Sequence, residues 1–359
     1  MTLDDPAAEL LVGLVKVPSP SGGEAEAAAL LASWAEGRVD AVEVDEAAVR
    51  LVVAGRDPGP TLLLASHLDT VPPGEGWSCD PYEGFVQDGW LTGRGAVDAK
   101  ASVAAMAAAA VRLAAAGGPR RGRLVVLATN SEETRDTTMP EALVRLGAPP
   151  DFAVVGEPTG LEPAIAQRGQ LLLRLVWKGD QLHAGWVAGL EARPVNAIER
   201  AAADLVRVAG LRLPRRHASL GDVAFTPTML SAGVARNVTP PRCEAVLDVR
   251  TTPAYGHDEV TAAVRSAVGG EVEVISDRLV PTETPSGSVL LAALRRVRPS
   301  ARPFASPTCS DWVFLRGVDA VKLGPGDSRQ SHRPDERIEL AEVARAAELY
   351  AGLAAEVLS

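Results

Sequence analysis

The apolar residues in the first half of the chain follow two alternating patterns. Stretches spaced as on one face of a helix alternate with short, unbroken aliphatic runs. Helices are predicted at residues 10–17, 25–37 and 102–117, and strands at residues 50–55, 61–67 and 123–130. Unbroken aliphatic strands that alternate with helices are typical of a sheet covered on both faces. The pattern therefore predicts an α/β layer architecture, in which ligands bind beyond the carboxyl ends of the strands.

The pattern changes at about residue 170, where the segments become shorter. Their predicted order is strand, helix, two strands, helix and strand, which is typical of a two-layer, ferredoxin-like α+β domain. A proline-rich stretch follows, "VPTETPSGS" at residues 280–288, and predicts a return to the first domain. We therefore predict a larger domain built from residues 1–169 and 285–359, into which a domain of residues 170–284 is inserted.

Charge and cysteine spacing argue against several classes of protein. A net charge of −10 disfavours nucleic acid as a partner, and the 4% content of aromatic residues disfavours stacking on bases. Cys79, Cys243 and Cys309 are far apart in the chain, which argues against a disulfide framework or a thiolate zinc site. The sequence has neither a long apolar run nor a basic, apolar start. These features predict a cytoplasmic enzyme that binds neither nucleic acid nor a membrane.

Histidine and carboxylate residues cluster in five segments that end strands or form loops. The segments are "SHLDT" with His67 and Asp69, "GRGAVDAK" with Asp98, "NSEET" with Glu132 and Glu133, "GEPTG" with Glu157, and "SRQSHRPDE" with His332. Each segment alone also fits an ordinary role, such as a hydrogen-bonded histidine or a solvated acidic pair. Together, imidazole and carboxylate groups are ligands for zinc, manganese or cobalt rather than for calcium. Because one ion needs only about four ligands, the surplus favours two ions that share a carboxylate.

Two of these segments allow roles to be proposed from strand geometry. Residues two apart on a strand face the same side, so Asp69 is expected to accept the proton of the non-ligating nitrogen of His67 and to orient its ring. Glu132 and Glu133 are adjacent, and on an extended segment their side chains would point in opposite directions. One of the two glutamates could then bind a metal while the other acts as general base.

The ordered set of motifs, from "VKVPSPSGGE" to "SHRPDE", resembles the M20 family of metallopeptidases and amidohydrolases. The resemblance implies a mixed-sheet, zinc-peptidase-like catalytic domain with an inserted lid or dimerisation domain. It also implies two divalent metal ions, with zinc the first expectation and cobalt or manganese the alternatives. In that arrangement His67 and Glu157 bind one ion, Glu133 and His332 bind the other, Asp98 bridges them, Glu132 is the general base, and Asp69 orients His67.

The inserted domain carries further segments that look like those of the family. The resemblance implies that His183, in "GDQLHAGW", reaches the active site of a dimer partner and stabilises the oxyanion. It implies that Asn237 and Arg250 hold the oxyanion or a substrate carboxylate, for which a guanidinium group is a natural partner. The backbone at Gly326, in "GPG", is a second candidate for that carboxylate. The chain departs from the family pattern at residues 134–140, "TRDTTMP", where a glycine-containing turn is usual, and at Trp186.

Within this family, "PTCSDWVFL" and "KLGPGDSRQSHRPDE" look most like amino-acid deacylases. We therefore predict a homodimeric amidohydrolase of lysine or arginine biosynthesis. It would release an amino acid of the lysine or ornithine type from an N-acyl form or from a small acidic amino-group carrier protein. Two arginine clusters are candidates for binding an acidic carrier: Arg212, Arg215 and Arg216, and Arg295, Arg296, Arg298 and Arg302. The alternatives are a carboxypeptidase or dipeptidase acting on α-peptide bonds, and a metal-free binding protein with the same fold.

Overall fold

The computed structural model describes residues 5–134, 138–191 and 193–359. Contacts divide the chain into two compact units. The first unit contains the residues up to Ile165, Thr284–Phe304 and Ser310–Ser359, and the second contains Ala166–Glu283 and Ala305–Cys309. The sequence placed the boundaries at 169/170 and 284/285. The roles of catalysis and of lid or dimerisation stay predictions for these two units.

The described part of the chain contains helices and strands in the following order. The α-helices are α1 (Pro6–Val15), α2 (Ala25–Ala35), α3 (Lys100–Ala115), α4 (Thr138–Val144), α5 (Ala197–Ala209), α6 (His257–Ala267), α7 (Val289–Val297) and α8 (Leu340–Val357). The strands are β1 (Ala41–Val44), β2 (Ala48–Ala54), β3 (Asp57–His67), β4 (Phe85–Gln87), β5 (Trp90–Thr92), β6 (Arg121–Thr129), β7 (Phe152–Val155), β8 (Ala164–Gln167), β9 (Gly169–Lys178), β10 (Ala224–Ala232), β11 (Arg242–Thr251), β12 (Glu271–Leu279), β13 (Thr282–Glu283), β14 (Phe304–Ser306), β15 (Asp319–Lys322) and β16 (Arg337–Glu339). Short 3-10 helices lie at Ala184–Gly189, Asp311–Phe314 and Ser328–Gln330.

The first unit is built on a mixed sheet in which β3 occupies a central place. The strand order is β1-β2-β6-β3-β7-β15. β3 runs parallel to β6 and β7, whereas β2 runs antiparallel to both β1 and β6. The aliphatic run of β3 from Leu62 to Ala65 is fully buried, because its side chains alternate between two hydrophobic clusters, with Leu62 and Leu64 in one and Leu63 and Ala65 in the other. The expected α/β fold with a mixed sheet is confirmed, and β3 ends at His67 as the aliphatic pattern predicted.

Helices cover the two faces of this sheet unequally. The larger hydrophobic cluster packs α1, α2, α3, α7 and α8 together with the sheet. The alanine-rich helix α3 is buried along most of its length, because its small side chains let neighbouring elements approach closely. A smaller hydrophobic cluster is formed by other residues of the sheet together with Met139 and Ala142 of α4 and with Trp312 and Leu315. Among the described residues, no helix is both long enough and apolar enough to cross a membrane.

The second unit is a four-stranded antiparallel sheet with two helices. The strand order is β10-β11-β9-β12, and the chain order is strand, helix, two strands, helix and strand. Alternate residues of β9, from Leu171 to Trp177, are buried in one cluster with residues of α5 and α6. This is the order of elements predicted for a ferredoxin-like α+β insert. The three-residue strands β4, β5 and β16, which form a separate small sheet, were not predicted because such short segments show no periodicity.

Truncation of a core residue far from the polar strand ends should test this packing. Leu51 of β2 is fully buried, so we expect Leu51→Ala to lower the free energy of unfolding by about 2–5 kcal/mol, because it leaves a cavity. Chemical denaturation measures the change. The control is Val144→Ala at an exposed position, with an expected change within about 0.5 kcal/mol. Equal effects of the two substitutions would contradict the burial of Leu51.

Candidate active site

His67 is placed at the carboxyl end of β3 with one ring nitrogen already engaged. Its side chain is almost completely buried. Nδ1 lies 3.0 Å from the main-chain oxygen of Asp69 and 3.3 Å from its Oδ1. Nε2 lies 3.4 Å from Oδ1 of Asp98. A proton on Nδ1 can therefore be held by Asp69, which leaves the lone pair of Nε2 directed toward a carboxylate-lined space.

Asp69 also holds the segment that carries the two adjacent glutamates. Its Oδ1 accepts a hydrogen bond from the main-chain N–H of Glu132 at 2.9 Å, and its Oδ2 accepts one from the N–H of Glu133 at 3.0 Å. Ser21 donates a third hydrogen bond to Oδ2 at 2.6 Å. Burial alone would raise the pKa of Asp69, but the hydrogen bonds from His67 and Ser21 outweigh it and lower that pKa. The sequence did not reveal this second role, because the partners lie more than 60 residues away in the chain.

The conformation of the Glu132–Glu133 segment differs from the expectation. An extended segment is predicted here, but β6 ends at Thr129 and residues 132–134 form a turn. Ser131 has a φ of +57°, which an extended strand does not allow. The geometric reason for giving the two glutamates different jobs is therefore wrong, and their roles stay a prediction that the family resemblance implies. Of residues 134–140, for which the sequence showed an unusual loop, 135–137 lie outside the described residues.

The five side chains identified as possible ligands form two groups that have one residue in common. His67, Asp98 and Glu157 each offer an atom within 4.8 Å of the others, and so do Asp98, Glu133 and His332. In the second group, Nε2 of His332 lies 2.9 Å from Oε1 of Glu133 and 3.5 Å from Oδ2 of Asp98. Asp98 belongs to both groups, and Glu132 belongs to neither.

The electrostatics of this cluster suit a divalent cation. Burial and the neighbouring charge of Asp98 raise the pKa of Glu157 to about 8. Burial also raises the pKa of Glu132 well above its usual range; His67 opposes this rise, and the charges of Asp311, Glu157 and Glu133 add to it. Carboxylates crowded in this way are stabilised by positive charge. The mixed imidazole and carboxylate donors match zinc, cobalt or manganese, so the residues fit the implied metal.

Asp311 is a neighbour of the site that the sequence analysis did not single out. It begins a 3-10 helix, and its Oδ2 lies 3.5 Å from Oγ1 of Thr129, the last residue of β6. Its charge contributes to the raised pKa of Glu132. The available signal is the aspartate in "PTCSDWVFL", a segment that entered the sequence prediction only through its resemblance to amino-acid deacylases.

Comparison with known proteins decides the family. Residues 63–356 match the peptidase family M20/M25/M40. The chain belongs to this family. It is therefore a metal-dependent hydrolase, and the alternative of a metal-free binding protein is not supported.

The M20 relatives that are similar to this chain have names that describe two different hydrolase activities. A "Putative [LysW]-lysine/[LysW]-ornithine hydrolase" of Pyrobaculum aerophilum is 31% identical over 350 residues, which cover 94% of each chain. A "Succinyl-diaminopimelate desuccinylase" of Gluconacetobacter diazotrophicus is 31% identical over 317 residues, which cover 82% of this chain and 80% of that protein. A crystal structure described as a dinuclear metal-binding M20 peptidase from Bacillus subtilis superposes with a TM-score of 0.75, at 17% identity, over 98% of this chain and 97% of that chain. The M20 fold and amide-cleaving hydrolase chemistry follow for this chain.

Three of the residues predicted to bind the oxyanion or the substrate lie in the second unit of this M20 chain. His183 is exposed, and its Nδ1 accepts a hydrogen bond from the N–H of Gly185 at 3.1 Å. Asn237 is exposed, and its main-chain oxygen accepts the N–H of Ala184 at 2.8 Å. Arg250 makes two hydrogen bonds to the carboxylate of Asp248, at 2.8 and 3.1 Å. A substrate carboxylate would therefore have to share this guanidinium group with Asp248.

Gly326, the fourth predicted substrate residue, lies in the first unit with its backbone groups occupied. Its N–H donates to Oε1 of Glu342 at 3.0 Å, and its carbonyl oxygen accepts the N–H of Gly160 at 2.7 Å. Its φ of +88° suits glycine. These contacts give Gly326 a structural role, whereas binding a substrate carboxylate would require its N–H to leave Glu342.

Proposed function

We propose that the chain is a dinuclear-metal amidohydrolase that releases an amino acid of the lysine or ornithine type from an N-acyl form or from a carrier-protein-linked form. The observation that carries this proposal is the pair of ligand groups that share Asp98. In this proposal His67, Asp98 and Glu157 hold one divalent ion, and Asp98, Glu133 and His332 hold the other. Zinc is the first candidate, with cobalt and manganese as alternatives.

When bound, two divalent ions lower the pKa of a water molecule and polarise a carbonyl group. The chain supplies the proton transfers. Glu132 lies outside both ligand groups, but it is near enough to His67, Glu157 and Glu133 for their charges to act on its carboxylate. Glu132 accepts a proton from the attacking water and then donates it to the leaving amine. Asp69 supports this step, because it fixes both the ring of His67 and the backbone N–H of Glu132.

We assign substrate binding to residues of the second unit. In a homodimer, His183 of one subunit reaches the active site of the other subunit and stabilises the oxyanion there. Asn237 also helps to stabilise the oxyanion. Arg250 binds the carboxylate of the substrate, and Asp248 holds the guanidinium plane for that contact. We therefore expect that substitution of either Asp248 or Arg250 weakens substrate binding.

The substrate class rests on the relatives that share about a third of their residues with this chain. The name of the Pyrobaculum relative joins lysine or ornithine to the carrier LysW, and this supports a carrier-linked form as substrate. The arginine clusters support it less. Arg215, Arg296 and Arg298 already pair with Glu259, Glu356 and Glu162 respectively. An acidic carrier would have to compete with these glutamates for the arginines. We therefore propose free N-acyl amino acids and carrier-linked amino acids equally as substrates.

A substrate panel tests the proposed activity. Purified protein reconstituted with Zn²⁺ or Co²⁺ is assayed on N-acyl-lysine, N-acyl-ornithine, glutamyl-lysine conjugates, N-succinyl-diaminopimelate and α-dipeptides. We expect the highest kcat/KM on a conjugate that releases lysine or ornithine. Highest activity on α-dipeptides would overturn the proposal in favour of a carboxypeptidase or dipeptidase.

A desuccinylase is the second candidate, because a relative with that name is as similar in sequence as the LysW hydrolase. The same panel separates the two activities. Preference for N-succinyl-diaminopimelate over both lysine and ornithine conjugates would assign this second activity.

A further inference from the structure

Glu336 is a buried carboxylate that contacts the backbone of a proposed metal ligand. Its side chain is completely buried. Oε1 accepts hydrogen bonds from the main-chain N–H groups of Val97, at 2.7 Å, and Asp98, at 3.0 Å. Because one oxygen holds two consecutive N–H groups, it fixes the backbone from which the side chain of Asp98 extends.

Arg94 holds Glu336 in place from the other side. Nη1 of Arg94 donates a hydrogen bond to Oε2 of Glu336, and both side chains are buried. The guanidinium group also donates to the main-chain oxygen of Pro73 at 3.3 Å and lies 5.2 Å from the ring centre of Trp77. A buried carboxylate without such a partner would be costly, and Arg94 supplies both a hydrogen bond and an opposite charge.

The segment that ends at Glu336 also carries His332. His332 and Asp335 have positive φ values, +63° and +54°, which are uncommon for residues other than glycine. Contacts hold this backbone: Asp335 accepts hydrogen bonds from the N–H and the Oγ of Ser78, at 2.8 and 2.9 Å. His332 and Glu336 are only four residues apart, so the anchoring of Glu336 limits by chain length how far His332 can move.

We propose that Glu336 is a positioning residue that sets Asp98 and His332 at the spacing needed to bind two metal ions. The proposal rests on the proposed function, because Asp98 and His332 are ligands only if the ions bind there. Glu336 acts through the backbone of Asp98 and through its own segment.

Metal titration of variants at Glu336 tests this proposal. Apo protein is titrated with Zn²⁺ by calorimetry and with Co²⁺ by visible absorption. We expect Glu336→Ala to weaken metal binding by about 10–100-fold and to change the Co²⁺ spectrum, as loss of a group that orients ligands typically does. Glu336→Gln keeps an oxygen for the two N–H groups but turns an amide donor toward Arg94. It should weaken binding less than Glu336→Ala, and it serves as the test if the alanine variant does not fold.

The second unit offers a matched control, Asp204. This buried carboxylate also accepts a main-chain N–H, from Gly269 at 2.7 Å, and pairs with an arginine, Arg207. Asp204→Asn should lower the thermal midpoint but leave metal affinity and the Co²⁺ spectrum unchanged. A folded Glu336 variant with wild-type affinity and spectrum would overturn the positioning role. Wild-type protein that takes up fewer than two equivalents of metal would instead overturn the proposed function, and this proposal with it.

Discussion

Glu132→Gln should lower kcat by about 10²–10⁴-fold, the usual contribution of a general base, while both proposed ions remain bound. A glutamine side chain has nearly the same shape but cannot accept a proton from water and pass it on. Glu132 belongs to neither ligand group, and Asp69 contacts its main-chain N–H, which the substitution keeps. Metal content should therefore stay at the wild-type value. Steady-state kinetics on the best substrate and elemental analysis of the same sample measure the two effects.

Glu133→Gln is the matched control, since it makes the same chemical change at the next residue. Glu133 lies 2.9 Å from His332 and belongs to a ligand group, so its replacement should reduce metal content as well as activity. Two outcomes would contradict the assigned roles. One is a Glu132→Gln enzyme with undiminished kcat, and the other is a Glu132→Gln protein that loses metal as Glu133→Gln does.

The sequence identified the side chains of this site because the signals were local. His67 follows an aliphatic run that ends at the edge of a sheet, and the structure brings it together with Asp98, Glu133, Glu157 and His332 as two groups. Residue type and the position of each segment relative to a strand indicated the candidate segments, whereas the choice of ligands and their division between two ions came from the family resemblance. The order of elements in the second unit was equally accessible, because period-two and helical patterns alternate there.

The contacts that position these side chains could not be predicted in the same way. Glu336 meets Asp98 across 238 positions of the chain, and Asp69 meets Glu132 across 63. The turn at residues 132–134 was predicted as extended, because a positive φ at serine has no clear signature in a single sequence. Hydrogen bonds that a carboxylate accepts from distant backbone N–H groups do not depend on the type of residue that donates them. The sequence therefore holds no pattern that would identify such partners.

Asp98→Ala should weaken the binding of both proposed ions and remove hydrolytic activity with them. The two carboxylate oxygens of Asp98 face different histidines: Oδ1 lies 3.4 Å from Nε2 of His67, and Oδ2 lies 3.5 Å from Nε2 of His332. If each oxygen binds one ion, the loss of this single side chain removes a ligand from both sites at once. Competition with a chelator, followed by elemental analysis, measures how many equivalents remain and how tightly they bind.

Variants of the two histidines show whether Asp98 is shared. His67→Ala and His332→Ala each remove a ligand from one group only, so each should weaken one ion more than the other. Asp98→Ala should weaken both and should leave less metal bound than either histidine variant at the same chelator concentration. If Asp98→Ala instead retains one ion at wild-type affinity, Asp98 serves a single site. Because the two oxygens belong to one rigid carboxylate, an ion at the first site should also favour the orientation that binds the second. Removing either histidine should then also lower the affinity of the site that keeps all its ligands, but by less than it lowers the affinity of the site that loses the histidine.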